Sequence, residues 1–302
     1  MRILVTGANG LLGQKLVELL QTDASVFPIA TARRPLAFTL TRGTFVQMDV
    51  ANRVEVEHVL RESKPEVIIH TAAMTQVDQC ETQREECWLQ NVTAVENLVR
   101  AAAAAKAHVV HVSTDFIFDG SRGPLAEDAQ PSPVNYYGES KLAGEKVVMA
   151  SNTTWAILRT VLVYGVTADM GRTNIVLWVK KSLEEGKKIQ VVNDQWRTPT
   201  LAEDLAMGCY LAATKKAQGI YHVSGEEMMT PFDIATATAE FFGLNGTLIQ
   251  ATDSNHFKQS ARRPLKTGFV IEKAKRELGY RPHTFREGLA LLAGQLKHQP
   301  LA

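Results

Sequence analysis

Cysteine is scarce in this chain: there are three in 302 residues, Cys80, Cys87 and Cys209, with no CxxC pair among them. Three thiols cannot all be bridged, so disulfide stapling is excluded as the basis of the fold and a reduced, cytoplasmic setting is expected. Net charge is scarce too. The 33 Lys and Arg against 32 Asp and Glu leave +1, so no global field draws the protein to nucleic acid or to an anionic membrane. No stretch reaches the roughly 18–20 uninterrupted apolar residues of a membrane span. The N-terminal MRILVTGANG enters a strand and a glycine turn without a leader-like segment, so a soluble, non-exported protein is expected. What remains, 45% hydrophobic and 22% charged residues, is an ordinary globular composition.

Short apolar runs alternate with amphipathic stretches. Residues 3–5, 26–30, 45–48, 67–70 and 108–112 read as strands, and 11–20, 54–63 and 92–107 as helices. The alanine run at 101–105 fits close helix–sheet packing. Such alternation implies βαβ units, hence a parallel sheet covered on both faces. Further on, 156–158 and 161–163 suggest strands, and 175–185, 200–213, 231–242 and 271–278 suggest helices. The predicted class is α/β: a Rossmann-type doubly wound parallel sheet with a smaller, mixed α+β C-terminal substrate domain.

The first strand runs into Gly7, Ala8, Asn9, Gly10, Leu11, Leu12 and Gly13. Glycines three apart allow a sharp turn, bare backbone against a pyrophosphate and close helix–strand packing. The helix that follows offers its unpaired N–H groups to the phosphates. The spacing is GxxGxxG, and its place between a strand and an amphipathic helix makes it a dinucleotide signal; as a bare motif it would equally be a tight turn. NAD binding usually places a carboxylate about 20 residues past the glycines. Here Arg33 and Arg34 occupy that corner, and guanidinium forks suit a 2′-phosphate. NADP(H) is therefore favoured over NAD(H), which stays open, as does a plain pair of solvated arginines. Asp49 could meet the adenine edge or cap the next helix. Val50, Ala72 and Ala73, at the ends of the third and fourth strands, complete the expected cofactor set. Residues 1–164, rejoined by 198–222, are assigned to NADP binding, and 165–197 and 223–302 to substrate.

Tyr137 and Lys141 stand four apart, on one face of a helix. An ammonium beside a phenol would lower its pKa from near 10, leaving Tyr137 a general acid or base. Lys141 could also hold cofactor ribose. Thr114, at a strand's C-terminal end, could donate to a substrate carbonyl, or it could simply cap a turn. The 23 positions from Thr114 to Tyr137 allow a loop over the crevice.

TGANGLLG, VSTDFIFDG and YYGESK together resemble the extended short-chain dehydrogenase/reductase superfamily. Within it the chain is most similar to the dTDP-4-dehydrorhamnose reductases. Phe116 to Gly120, Pro133 to Gly138, Asn193-Asp194-Gln195, Pro199-Thr200, Asp204-Leu205-Ala206 and Arg262-Arg263-Pro264 carry that resemblance across nearly the whole chain. It implies a catalytic Thr114, Tyr137 and Lys141, a cofactor pyrophosphate on Gly7, Gly10 and Gly13, and reduction of a nucleotide-sugar 4-keto group by NAD(P)H. Substrate contacts are expected from Thr114, Asp115, Trp196 and Arg197, the last as partner of a diphosphate. Two places depart from the family pattern. Leu162 stands where an RTSW-type segment carries tryptophan, and Leu265-Lys266-Thr267-Gly268 departs from a small and acidic pattern. Leucine at that first place also occurs in relatives serving as the non-catalytic subunit of methionine adenosyltransferase. A nucleotide-sugar epimerase or dehydratase, or an NADP-binding regulatory subunit, thus stands beside the reductase reading. A homodimer is compatible with all three.

His70, His108, His111 and His222 read as strand packing rather than ligands, and no metal is expected. Trp178 and Trp196 are open to core packing or to stacking on a base or sugar. Lys180-Lys181 and Lys187-Lys188 suit a solvated helix end.

Overall fold

Parallel strands must be joined by crossovers of a dozen or more residues, and the amphipathic stretches between the apolar runs have that length. The computed structural model describes residues 1–168, 173–256 and 259–298. Its strands are β1 (Arg2–Thr6), β2 (Phe27–Ala32), β3 (Thr44–Gln47), β4 (Val67–His70), β5 (His108–Thr114), β6 (Trp155–Thr160), β7 (Val163–Tyr164), β8 (Ile189–Val192), β9 (Thr200–Leu201), β10 (Gly219–His222) and β11 (Ile249–Thr252). The helices are α1 (Leu11–Thr22), α2 (Arg53–Ser63), α3 (Val77–Thr82), α4 (Arg84–Trp88), α5 (Ala94–Ala105), α6 (Tyr136–Met149), α7 (Ile175–Glu184), α8 (Ala202–Thr214), α9 (Pro231–Phe242) and α10 (Phe285–His298).

Seven strands make one sheet in the order β10-β6-β5-β4-β1-β2-β3, and every pairing in it is parallel. The predicted Rossmann-type doubly wound fold is what the chain adopts. Alternate residues of each strand feed opposite faces. Ile3, Val5, Val67 and Ile69 pack with Leu16, Val17 and Leu20 of α1 and Leu205 and Cys209 of α8. Leu4, Ile29, Ile68 and Val109 pack with Val56 and Leu60 of α2 and Leu98 and Ala102 of α5. Each such aliphatic, fully buried, contributes about 1.5–3 kcal/mol. The small Ala101 and Ala102 let α5 lie close on the sheet, as expected from the alanine run. The strand order reverses between β1 and β4, and ligand crevices open at the carboxyl ends of strands at such a switch point.

Beyond β6 the chain adds two small parallel pairs, β8 with β11 and β7 with β9. A second core gathers Tyr164, Val176, Leu201, Ile234, Phe285 and Leu292. Several boundaries differ from the sequence reading, each for a local reason. The strand expected at 161–163 is broken by Leu162, whose φ of +35° turns the chain out of line, and β7 begins only after it. The helix expected at 200–213 starts two residues late, because the Thr200 amide donates to the Leu162 carbonyl and its hydroxyl to the Val161 carbonyl. The helix expected at 92–107 is entered through a wider turn at Leu89–Thr93 and stops at a left-handed Lys106. Of 271–278, all but Ile271 is helical, the last turns being the wider Ala274–Leu278. The short helices α3 and α4 and the β8–β11 pair carry no strong periodic signal, whereas the 14-residue α10 is amphipathic and is an element the sequence reading omits.

Candidate active site

The glycine turn is built by close backbone approach. Gly7 has φ +70°, and a Cβ there would stand 2.9 Å from the Ala72 backbone. A Cβ at Gly13 would lie 2.2 Å from the Gly7 carbonyl oxygen. Bare backbone is therefore needed at both positions, for the β1 turn against the β4 turn and for α1 against β1. Gly10 precedes α1 without any side-chain cap, and no acidic residue occupies the first helical turn. The amides of Leu11, Leu12 and Gly13 thus belong to a helix start with no intrahelical acceptor. That cradle fits a dinucleotide pyrophosphate.

Asn9 ties the cradle to the β2 corner. Its Nδ2 donates to the carbonyls of Arg34 and Pro35, and its Oδ1 accepts from the Ala37 amide. Arg33 and Arg34 are exposed at that corner, with their side chains in no ion pair among the described residues. Asp49 accepts from the Ala51 amide, while Asn52 accepts from the Val54 and Glu55 amides. The cap suggested for Asp49 is thus Asn52, which stands closer to the helix start. Val50 is buried beneath the same turn, and Ala72 and Ala73 line the turn after β4.

On the other side of the crevice, β5 ends at Thr114 and α6 begins at Tyr136, capped by Asn135, which accepts from the Gly138 amide at 2.8 Å. Tyr137 is 8% exposed and meets Phe116 edge to face, centroids 5.7 Å apart. Lys141, also buried, donates from Nζ to the Val112 carbonyl at 2.8 Å. That contact revises the expected electrostatics. Burial is the main influence on Tyr137 and raises its pKa well above the usual phenol value, the Thr114 hydroxyl opposing in part. Burial also lowers Lys141, to about 8. Tyr137 is consequently a protonated phenol at neutral pH rather than a phenolate.

Thr114 takes the capping alternative, at the start of the short turn at Asp115–Ile117. Its hydroxyl donates to Asp115 Oδ1 at 3.1 Å and accepts from the Phe116 amide. Arg197, expected at a diphosphate or on the surface, is 4% exposed. Its Nη1 donates to the Trp196 and Leu265 carbonyls and its Nη2 to the Pro264 carbonyl, with Nε 3.5 Å from Asp115 Oδ2. Those donors are spent on protein. Trp196 and Trp178 are 40% and 38% exposed, so neither is a core tryptophan, and Trp196 lies beside Lys266 in a short parallel bridge.

Other contributors were not singled out from the sequence. Asn91 donates to Ser140 Oγ and the Met74 carbonyl and accepts from the Met74 amide, binding α6 to the turn after β4. Cys80 and Cys87 pack directly behind Tyr137. Asp78 of α3 holds Arg263. A lone Asn or Asp in a polar stretch carries no spacing signal, and only topology brings them together. His70, His108, His111 and His222 are all buried in strands. No group of three or more His, Cys, Asp or Glu that could hold a metal ion occurs among the described residues, and no helix there is long and apolar enough to cross a membrane.

A doubly wound sheet with a glycine cradle at its switch point, facing a threonine, a tyrosine and a lysine, defines a Rossmann-type reductase scaffold. The chain belongs to the family described as RmlD substrate binding domain, whose model matches residues 1–298. It is 35% identical over 249 residues to methionine adenosyltransferase 2 subunit beta of Xenopus laevis, covering 80% of this chain and 72% of that protein. Over 289 residues it is 30% identical to the spore coat polysaccharide biosynthesis protein SpsK of Bacillus subtilis, 95% of each chain. A dTDP-4-dehydrorhamnose reductase from Clostridium acetobutylicum superposes with a TM-score of 0.88 at 29% identity, over 98% of this chain and 100% of that one. A second such reductase, from Bacillus anthracis in complex with NADP, gives 0.86 at 29% identity over 97% and 99%. The resemblance read from TGANGLLG, VSTDFIFDG and YYGESK is borne out.

Proposed function

We propose that this protein reduces the 4-keto group of a nucleotide-linked deoxysugar with NADPH, Tyr137 giving the proton. The observation that carries this reading is the placing of a buried Tyr137 and Lys141 against the Thr114 end of β5, across the crevice from the glycine cradle. A phenol set near the carboxyl end of β5 carries its proton at neutral pH and can give it to a carbonyl oxygen that becomes an alkoxide. Gly7, Gly10, Leu11, Leu12 and Gly13 would hold the dinucleotide phosphates, with Asn9 fixing their turn. Arg33 and Arg34 would take a 2′-phosphate, and Asp49, Val50, Ala72 and Ala73 would border the adenosine half. The bound nicotinamide would supply the hydride. Lys141, set under the crevice by Val112, brings positive charge near the reacting oxygen and within reach of cofactor ribose. Trp196, partly exposed beside the 264–267 loop, offers a face for the sugar nucleotide. The solved reductase with NADP supports that cofactor; NADH remains an alternative of the same chemistry.

The reading is tested by NADPH oxidation against dTDP-, GDP- and UDP-linked 4-keto sugars, repeated with NADH. Turnover with at least one sugar is expected, with Tyr137→Phe losing about a thousandfold or more in kcat while NADPH affinity stays within about twofold. Equal turnover by wild type and Tyr137→Phe would sink the role of Tyr137. Epimerisation or dehydration would instead give product without net loss of NADPH.

A second reading has its own support: the relatives named methionine adenosyltransferase 2 subunit beta. On it, the protein binds NADP as a regulatory subunit of another enzyme. It predicts no turnover with any keto sugar and a stable complex with a methionine adenosyltransferase catalytic chain, read by size-exclusion chromatography.

A further inference from the structure

The loop at 261–268 is anchored onto the end of the sheet from several directions. Arg263 pairs with Asp78, and the Asp78 carboxylate also accepts the Ala261 amide. Asn135, the cap of the tyrosine helix, donates to the Arg262 carbonyl at 2.7 Å, and the Lys266 amide donates to the Gly120 carbonyl. A further anchor is Asp115, whose carboxylate is 2% exposed. Its Oδ1 accepts the Thr114 hydroxyl, and its Oδ2 accepts the Thr267 hydroxyl and faces Arg197 Nε. All three partners present hydrogens to it, a pattern that suits an ionised carboxylate and leaves no donor of its own. Burying such a charge is costly unless it is paired and hydrogen-bonded, and here the pairing comes from opposite sides: the reactive strand end and the C-terminal loop.

We propose that Asp115 is a positioning residue of the reduction, holding the Thr114 hydroxyl in one orientation while Arg197 and Thr267 hold Asp115. The inference rests on the reductive reading above. A threonine hydroxyl has one hydrogen. With that hydrogen committed to Asp115 and one lone pair to the Phe116 amide, Thr114 faces the crevice as an acceptor. The Phe116 whose amide donates to it meets the Tyr137 ring edge to face. Asp115 therefore fixes the orientation of the Thr114 hydroxyl at the edge of the crevice. The same guanidinium that pairs with Asp115 grips the carbonyls of Pro264 and Leu265 and lies over the Phe116 ring, which in turn meets Tyr137. A loop that departs from the family's usual pattern is thus linked to Tyr137 through the buried Arg197 and the partly buried Phe116.

The test uses the full chain and four variants. Thr267→Val removes one hydroxyl at nearly constant shape, and Thr267→Ser keeps it. Asp115→Asn removes the charge, and Arg197→Lys keeps the charge but loses the fork. Asp115→Asn and Thr267→Val are expected to lose about tenfold or more in kcat, with NADPH affinity within about twofold of wild type. Thr267→Ser should recover most of that loss. Losses of kcat in Asp115→Asn and Thr267→Val below twofold would overturn the proposal, as would losses matched by equal losses of NADPH affinity and of thermal midpoint. If wild type turns over no keto sugar, the reductive reading falls and amide exchange decides what remains. Arg197→Lys should then speed hydrogen exchange at Lys266 and Thr267 by about tenfold or more, and unchanged protection there would refute the coupling itself.

Discussion

The residues that carry chemistry differ from their sequence reading mainly in what their polar atoms do. Tyr137 and Lys141 share a helix face as their spacing demands, yet a spacing of four cannot say which acceptor the ammonium finds. In the folded chain it finds the Val112 carbonyl. The consequence is measurable. Burial lowers Lys141 to about 8, so the ammonium is present below that pH and is lost above it. Since kcat/KM reports ionisations of the free enzyme, reduction is expected to be flat below pH 8 and to fall about tenfold per unit above it. Lys141→Arg, charged throughout this range, should erase the bend even if its maximal rate is lower. A bend unchanged in Lys141→Arg would mean that another group limits the reaction. Arg197 and Asp115 teach the same lesson: a charged pair beside a tryptophan reads as a ligand site, and only three-dimensional burial shows its hydrogen bonds already taken.

At the scale of elements, the glycine turn was the most legible feature, because its requirement is steric and local. The turn at Gly7 and the contact of Gly13 with the Gly7 carbonyl leave no room for a side chain. Gly13→Ala is therefore expected to force α1 off β1 and weaken NADPH binding by about a hundredfold, roughly 2.7 kcal/mol, as read by fluorescence titration. Binding within about threefold of wild type would refute the cradle. Helix ends were less legible. The helices α2 and α5 stop at left-handed lysines, Lys64 with φ +43° and Lys106 with φ +53°, where glycine is the usual residue. A search for glycine stops misses the end of α5, expected at 107 and found at Ala105, while the end expected at 63 is where α2 stops. Lys106 is exposed, so Lys106→Gly should stabilise the protein by about 0.5–1 kcal/mol in urea unfolding, the relief of the left-handed backbone being offset in part by the greater freedom of glycine when unfolded. The short helices α3 and α4 escaped notice because six and five residues are too few to show a period. The site nevertheless needs them, since α3 supplies Asp78 and α4 supplies Cys87.

Over the whole molecule, apolar alternation made the doubly wound sheet legible, while the C-terminal pairs β8–β11 and β7–β9 were not, being two to four residues long and fixed by partners distant in sequence. The same sheet sets the response to acid. Burial lowers His70 and His222 to about 3 and His108 to about 4, and it holds His111 well below the ordinary value. Unfolded, each would titrate near 6.5. A base depressed in the folded state contributes its stability in full above the unfolded pKa and loses it as pH falls toward the folded one, because only the unfolded chain takes up the proton. Four such groups give a slope of up to about 5 kcal/mol per pH unit below 6.5, against a typical total of roughly 5–15 kcal/mol. Asp115 and Asp204, raised by burial, work in the opposite sense, favouring the folded chain on acidification, but they are fewer. Unfolding is therefore expected near pH 5, followed by far-UV circular dichroism. His111 offers the sharpest check. It stacks on His70 with centroids 5.4 Å apart, and neither ring nitrogen has a partner among the described residues, so His111→Leu gives up no hydrogen bond. Removing one of four proton-linked groups should move the acid midpoint down by roughly 0.4 pH unit. A midpoint that stays in place, or moves up, would show that acid attacks the carboxylates first and that the buried histidines of the sheet are not what limits stability.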